Sequence, residues 1–142
     1  MLHFSKYQGA GNDFVVVDMR QAKGPLSPEV VKKLCHRHTG VGADGVLSLW
    51  PHELADGEMR VQNADGSVAG MCGNGMRCML QFLFDLGAVE SERTHLTLAV
   101  GSQVYECSRI ADGQFAVGMG KAATEHALLP DEAICGELLR FQ

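Results

Sequence analysis

Residues 73–86 read GNGMRCMLQFLFDL and are followed by Gly87. The spacing predicts a helix over 73–86, with Gly87 in the position that commonly ends one. Met76, Met79, Leu80, Phe82, Leu83, Phe84 and Leu86 cover most of its circumference, and only Arg77, Gln81 and Asp85, each four residues from the next, form a narrow polar stripe. A helix this apolar has to be enclosed by other elements, because a surface helix keeps one broad polar face. The chain has 142 residues, 46% of them hydrophobic, which is enough for a single domain to build that enclosure.

The enclosing elements are predicted to be strands. After the helix, THLTLAV, QVYECSRI and QFAVGM read as a β-meander turned at Gly101-Ser102 and Asp112-Gly113. Before it, LHFSKY and DFVVVD read as two strands around the loop QGAGN, and VLSLW and MRVQN as two more, with Asn63 ending the second and ADGSVAG as a turn. One further helix is predicted from SPEVVKKLCHRHTG, with Ser27 as N-cap, Pro28 at the first helical position, Val30, Val31, Leu34, Cys35 and His38 at helical spacing, and Gly40 past its end. The class is α+β. From Gly120 onward the periodicity fades, and 121–142 are assigned to a linker or the start of a further domain, with a short helix over 130–141.

A net charge of −5 with no basic cluster gives no footprint for nucleic acid. No apolar run approaches the roughly 20 residues a bilayer span needs, and the first residues lack a signal-peptide pattern, so a cytoplasmic, non-membrane protein is expected. Five cysteines without framework spacing fit reduced thiols better than a disulfide scaffold.

Most cysteines in such a chain serve as small buried apolar residues, and Cys35, Cys78 and Cys107 fit that role. Cys72 stands elsewhere, immediately before the helix in MCGNGMRC, where backbone N–H groups of the first turn point outward and the helix dipole is positive. Such a position favours a thiolate and can hold an anion beside it. Glycines on both sides of Asn74 allow a ligand to approach the amides closely. A base next to a carboxylate site suits removal of a proton α to that carboxylate. Other chemistries fit less well. A cysteine phosphatase loop needs five residues between its cysteine and arginine, and here four separate Cys72 from Arg77. Cys72 and Cys78, like His36 and His38, lack the pairing of a zinc site, so no metal is expected. The runs GAGNDF and GVGADG complete no dinucleotide fingerprint and lack a βαβ context.

Four stretches, FSKYQGAGNDFVVVD, HRHTGVGADGV, NADGS and MCGNGMRC, in this order and spacing, resemble the N-terminal half of the diaminopimelate epimerase family. The resemblance implies a single domain at 1–120 with a mostly antiparallel sheet curled around a central apolar helix. It implies Cys72 as a catalytic thiol, Gly73 and Asn74 as the amides that hold the reacting carboxylate, and Asn12 and Asn63 as substrate-binding side chains. Gly45 falls where some members carry a substrate-contacting glutamine. The implied chemistry is cofactor-independent epimerisation of LL-diaminopimelate to meso-diaminopimelate in lysine biosynthesis by two thiols, one on each face of the α-carbon. The family's second half, with its Asn-Pro-His segment, Glu-Arg pair and second cysteine turn, has no counterpart here, and Cys135 in AICGEL lacks that turn's context. A truncated chain is therefore expected, acting on a small amino-acid substrate as a homodimer or paired with a missing half. Two alternatives stand beside this reading. One is a proline-racemase-like isomerase, against which Asn74 and Asn63 speak; the other is a non-catalytic half-subunit or binding module.

Overall fold

The structure is a computed structural model that describes residues 2–111 and 114–120; the 121–142 linker with its helix and the Asp112-Gly113 turn lie outside the described residues. In chain order the elements are β1 (Ser5–Gly9), β2 (Asn12–Asp18), α1 (Pro28–Cys35), β3 (Gly45–Trp50), β4 (Glu58–Asn63), β5 (Val68–Ala69), α2 (Gly73–Asp85), β6 (His95–Val100), β7 (Gln103–Ala111) and β8 (Gln114–Val117). All strands belong to one sheet, ordered β1-β2-β3-β4-β6-β7-β8, with β5 beside β4. Most pairings are antiparallel, as expected, but β2–β3 and β4–β6 are parallel. Parallel neighbours need a crossover, and each pair has a helix as its bridge: α1 joins β2 to β3, and α2 lies between β4 and β6.

The two helices cover opposite faces. Along β2, Phe14 and Val16 enter the cluster around α2, while Val15 and Val17 enter the cluster with Val31 and Cys35 of α1. This explains why FVVV is a continuous apolar run: a strand covered on both sides has no polar face to alternate. The same division places Leu47 and Leu49 against α2 and Val46 against α1. The sheet curls around α2, which contacts β1, β2, β3, β4, β6 and β8. Met76, Met79, Leu80 and Leu83 are completely buried there, each contributing roughly 1.5–3 kcal/mol. Leu86, just past the helix, is exposed.

Among the described residues the curl does not close. Between the edge strands β1 and β8 a groove of about 490 Å³ is lined by Tyr7, Gln8 and Gly9 on one side, Gln114 and Phe115 on the other, and Arg77, Cys78 and Gln81 at its floor. The polar stripe of α2 thus faces the opening. Tyr7 of β1 donates its hydroxyl to Asp85 at the end of α2, and Gln81 donates to the other Asp85 oxygen at 2.8 Å. At the other weak point, β4 and β6 share one registered pair, Glu58 with Ala99. There the Asp56 carboxylate accepts from the Thr97 amide at 2.8 Å and from Arg93 at 2.5 and 3.1 Å, clamping the loop before β4 onto β6.

Several local expectations change. The turn between β1 and β2 is only Ala10-Gly11, both at positive φ, so Asn12 begins a strand instead of sitting in a loop. Ser27 caps α1 by accepting from the Val30 amide at 3.4 Å, but the helix ends at Cys35 because His36 turns extended. His36 and His38 therefore lie beyond the helix. The run ADGSVAG holds the short strand β5 as well as a turn. GVGADG does have a βαβ unit around it, although it occupies the helix-to-strand connection and not the strand-to-helix turn where a phosphate would dock. Among the described residues no helix is long and apolar enough to cross a membrane.

Candidate active site

Cys72 is the N-cap of α2. Its backbone is extended, its carbonyl accepts from the Met76 amide at 2.9 Å, and its Sγ accepts from the Gly75 amide at 3.4 Å. Gly75 fits closely here: a Cβ would stand 3.1 Å from Leu47 Cδ2 and 3.4 Å from the Cys72 sulfur, so a larger residue would press on both. The amides of Gly73 and Asn74 find no acceptor among the described residues, which leaves two N–H groups at the helix mouth for a ligand. The side-chain oxygen of Asn74 accepts from Arg77 within the same helix, while its backbone N–H stands at the mouth. Cys72, Gly73 and Asn74 are each half-buried.

The pairing registers bring the other expected residues to the same end of the sheet. Asn12 opens β2, Gly45 opens β3 and Asn63 ends β4, with Phe14 opposite Gly45 and Gly45 opposite Asn63. Asn12 reaches Cys72: the thiol donates to Asn12 Oδ1 across 3.9 Å, a long contact that sulfur allows. Asn63 is exposed, and its amide donates to Ser67 Oγ at 3.0 Å within its own turn, so it flanks the site without touching Cys72 through a hydrogen bond. Gly45 is buried, and a Cβ there would lie 2.6 Å from the Gln62 carbonyl oxygen. The backbone at this point therefore excludes any side chain, the family's glutamine included.

A group of charges that sequence reasoning did not weigh supports Asn12. The Asp44 carboxylate accepts from Asn12 Nδ2 at 2.7 Å and from the Asp13 amide at 3.0 Å, and its second oxygen accepts from Arg37 at 2.7 Å. Arg37 also pairs with Asp13 at 2.8 Å, and Lys6 reaches the same carboxylate at 2.6 Å. Hydrogen bonds from Arg37 and then Lys6 hold the Asp13 carboxyl well below the usual carboxylate range. The only signal in the sequence was the acid within GVGADG, which reads as an ordinary turn residue.

The other described thiols are buried, as expected. Burial pushes Cys78 and Cys107 each up to about 11 and raises Cys35 as well. Those three are poor nucleophiles near neutrality. A cavity of about 600 Å³ opens where β4 and β6 diverge, lined by Leu26, Val61, Val68, Met71, Val100 and Tyr105 among others, but it contains none of the expected site residues.

A family model described as diaminopimelate epimerase matches residues 4–125. The diaminopimelate epimerase of Synechocystis is 45% identical over 131 residues, covering 91% of this chain and 46% of that protein. The diaminopimelate epimerase of Thermosynechococcus vestitus is 49% identical over 125 residues, covering 84% and 43%. The chain thus spans less than half the length of these curated relatives. Among solved structures, a probable proline racemase from Agrobacterium radiobacter has a TM-score of 0.62 at 17% identity, over 80% of this chain and 39% of that one. A methylitaconate-delta-isomerase has a TM-score of 0.63 at 14% identity, over 80% and 35%. At these identities the likeness is one of fold.

Proposed function

The chain belongs to the diaminopimelate epimerase family, and on that premise we propose that it supplies one half of a cofactor-independent, two-thiol epimerase acting on LL-diaminopimelate in lysine biosynthesis. The observation that carries this reading is the contrast among its thiols: Cys72 is half-buried at a helix mouth beside two free amides, while Cys35, Cys78 and Cys107 are buried. In the proposed reaction the substrate's α-carboxylate docks on the amides of Gly73 and Asn74. The Cys72 thiolate removes the α-proton, and the amides stabilise the charge that develops on the carboxylate oxygens. Asn12 and Asn63 border the substrate. Inversion requires a second thiol to deliver a proton to the opposite face, and none of the described cysteines other than Cys72 reaches the site. A second copy in a homodimer, or a complementary half, is proposed to supply it, with residues 1–120 as the N-terminal domain and 121–142 leading onward.

The test is α-proton exchange in deuterated water, followed by NMR with diaminopimelate and with proline, alongside light scattering to fix the number of copies. Exchange with diaminopimelate that disappears in Cys72→Ala is the expected result. Full exchange in Cys72→Ala removes Cys72 from the mechanism. Exchange with proline alone selects the racemase reading. A monomer inactive on both identifies a half-subunit that needs its partner.

A further inference from the structure

We propose that Asp44 is the positioning residue that decides which end of the Asn12 amide faces Cys72. A carboxylate only accepts hydrogen bonds, so only the nitrogen end of the amide can lie against it. Asn12 Nδ2 donates to Asp44 Oδ2 at 2.7 Å, and this commits Oδ1 to the side of the Cys72 sulfur, 3.9 Å away. The reverse orientation would set the amide oxygen against the carboxylate oxygen with no hydrogen between them.

Asp44 is itself fixed from several directions. The Asp13 amide shares its Oδ2 at 3.0 Å, Arg37 holds its Oδ1 at 2.7 Å, and its own amide donates to the Asp13 carbonyl at 2.9 Å. Lys6 and Arg37 in turn hold Asp13. The orientation of one neutral amide in the site is thus set by a charged network on the β2–β3 rim. An oxygen facing the sulfur assists the S–H, whereas an N–H facing it would assist the sulfur as an anion. Asp44 therefore fixes the hydrogen-bonding sense that Cys72 meets, and this rests on the reading of Cys72 as the proton-transferring thiol.

The test needs no substrate, so its outcome is separate from that of the exchange experiment. The rate of iodoacetamide alkylation at Cys72 is followed at one pH by peptide mass spectrometry in the full chain. Asp44→Ala frees the amide to turn and is expected to accelerate alkylation about threefold to tenfold, the span of one hydrogen bond. Asp44→Asn removes the same charge but keeps an acceptor, and is expected to return most of the way to the original rate. In an Asn12→Ala background the effect of Asp44→Ala should largely vanish. Equal rates in Asp44→Ala and Asp44→Asn, or an undiminished effect without Asn12, overturn the proposal. The buried thiols act as an internal control for loosening of the fold. If Asp44→Ala exposes them, the unmutated chain decides: Asn12 Nδ2 and the Asp13 amide donate to one oxygen, so an NMR cross-relaxation peak between them is expected. Its absence overturns the assignment.

Discussion

The helices α1 and α2 have the same topological task, carrying the chain between parallel strands, yet they begin in opposite ways. α1 starts with a serine oxygen on the Val30 amide and a proline in its first turn, buries Val31 and Cys35, and leaves Glu29, Lys32 and Lys33 in solvent. α2 is capped by sulfur, a weak acceptor, and spends two of its first three positions on glycine, a poor helix former. It has no acidic residue in its first turn to offset the dipole. The helix with the deeper burial has the weaker beginning. Its enclosure supplies stability from the sides, which leaves the first turn free to depart from good capping at the point where it emerges beside Cys72.

The largest effect that sharpens this contrast is expected in the core. Leu80→Ala on α2 should lose about 2–5 kcal/mol by urea denaturation, and Leu34→Ala on the half-covered face of α1 only about 1 kcal/mol. Equal losses would break the comparison. A smaller, pH-dependent difference follows from Cys78. Its thiol is raised by burial from 9.0 to about 11 in the folded chain, so between these values the unfolded chain loses the proton first. The stability it contributes is complete below about pH 9 and declines as pH rises toward 11. Stability of Cys78→Val should therefore fall less steeply than that of the unmutated chain over this window. The smallest effects concern the caps. Ser27→Ala is expected to cost about 1 kcal/mol, whereas Cys72→Ser, which installs a better cap, should leave thermal stability unchanged or raise it slightly. A Cys72→Ser loss as large as that of Ser27→Ala would mean that the sulfur is needed for packing.

What could be read from the sequence was what local pattern determines. The enclosure of α2 follows from its circumference, the start of α1 from Ser27 and Pro28, and the Gly101-Ser102 turn from its residue types. The parallel partner of β2 was not readable, because a run such as FVVV reports burial on both faces and says nothing about which strand lies beside it. His38 kept helical spacing with Cys35 by coincidence, since no side-chain pattern marks the turn at His36. At the site, Cys72 and its amides stand out because they are contiguous. Lys6 and Asp13 come from one stretch and Arg37 and Asp44 from another, and only the pairing of β1, β2 and β3 makes them one network. Asn12 and Asn63 were singled out together only by family resemblance, and the hydrogen bond that holds each is a tertiary fact in one case and a turn in the other.

The single registered pair between β4 and β6 also bears on how the domain comes together. On the α1 face, the core is drawn from residues 15–50 and is nearly local, so it can form as soon as β3 has been made. On the α2 face it runs from Phe14 to Phe115, and its two blocks of strands are joined mainly by the side chains of the helix between them. Neither block can bury its inner face without α2, and α2 is too apolar to stand without both. The inner half of the domain is therefore expected to assemble in one cooperative step, after the outer half, and the helix mouth that carries Cys72 takes its final shape only in that step.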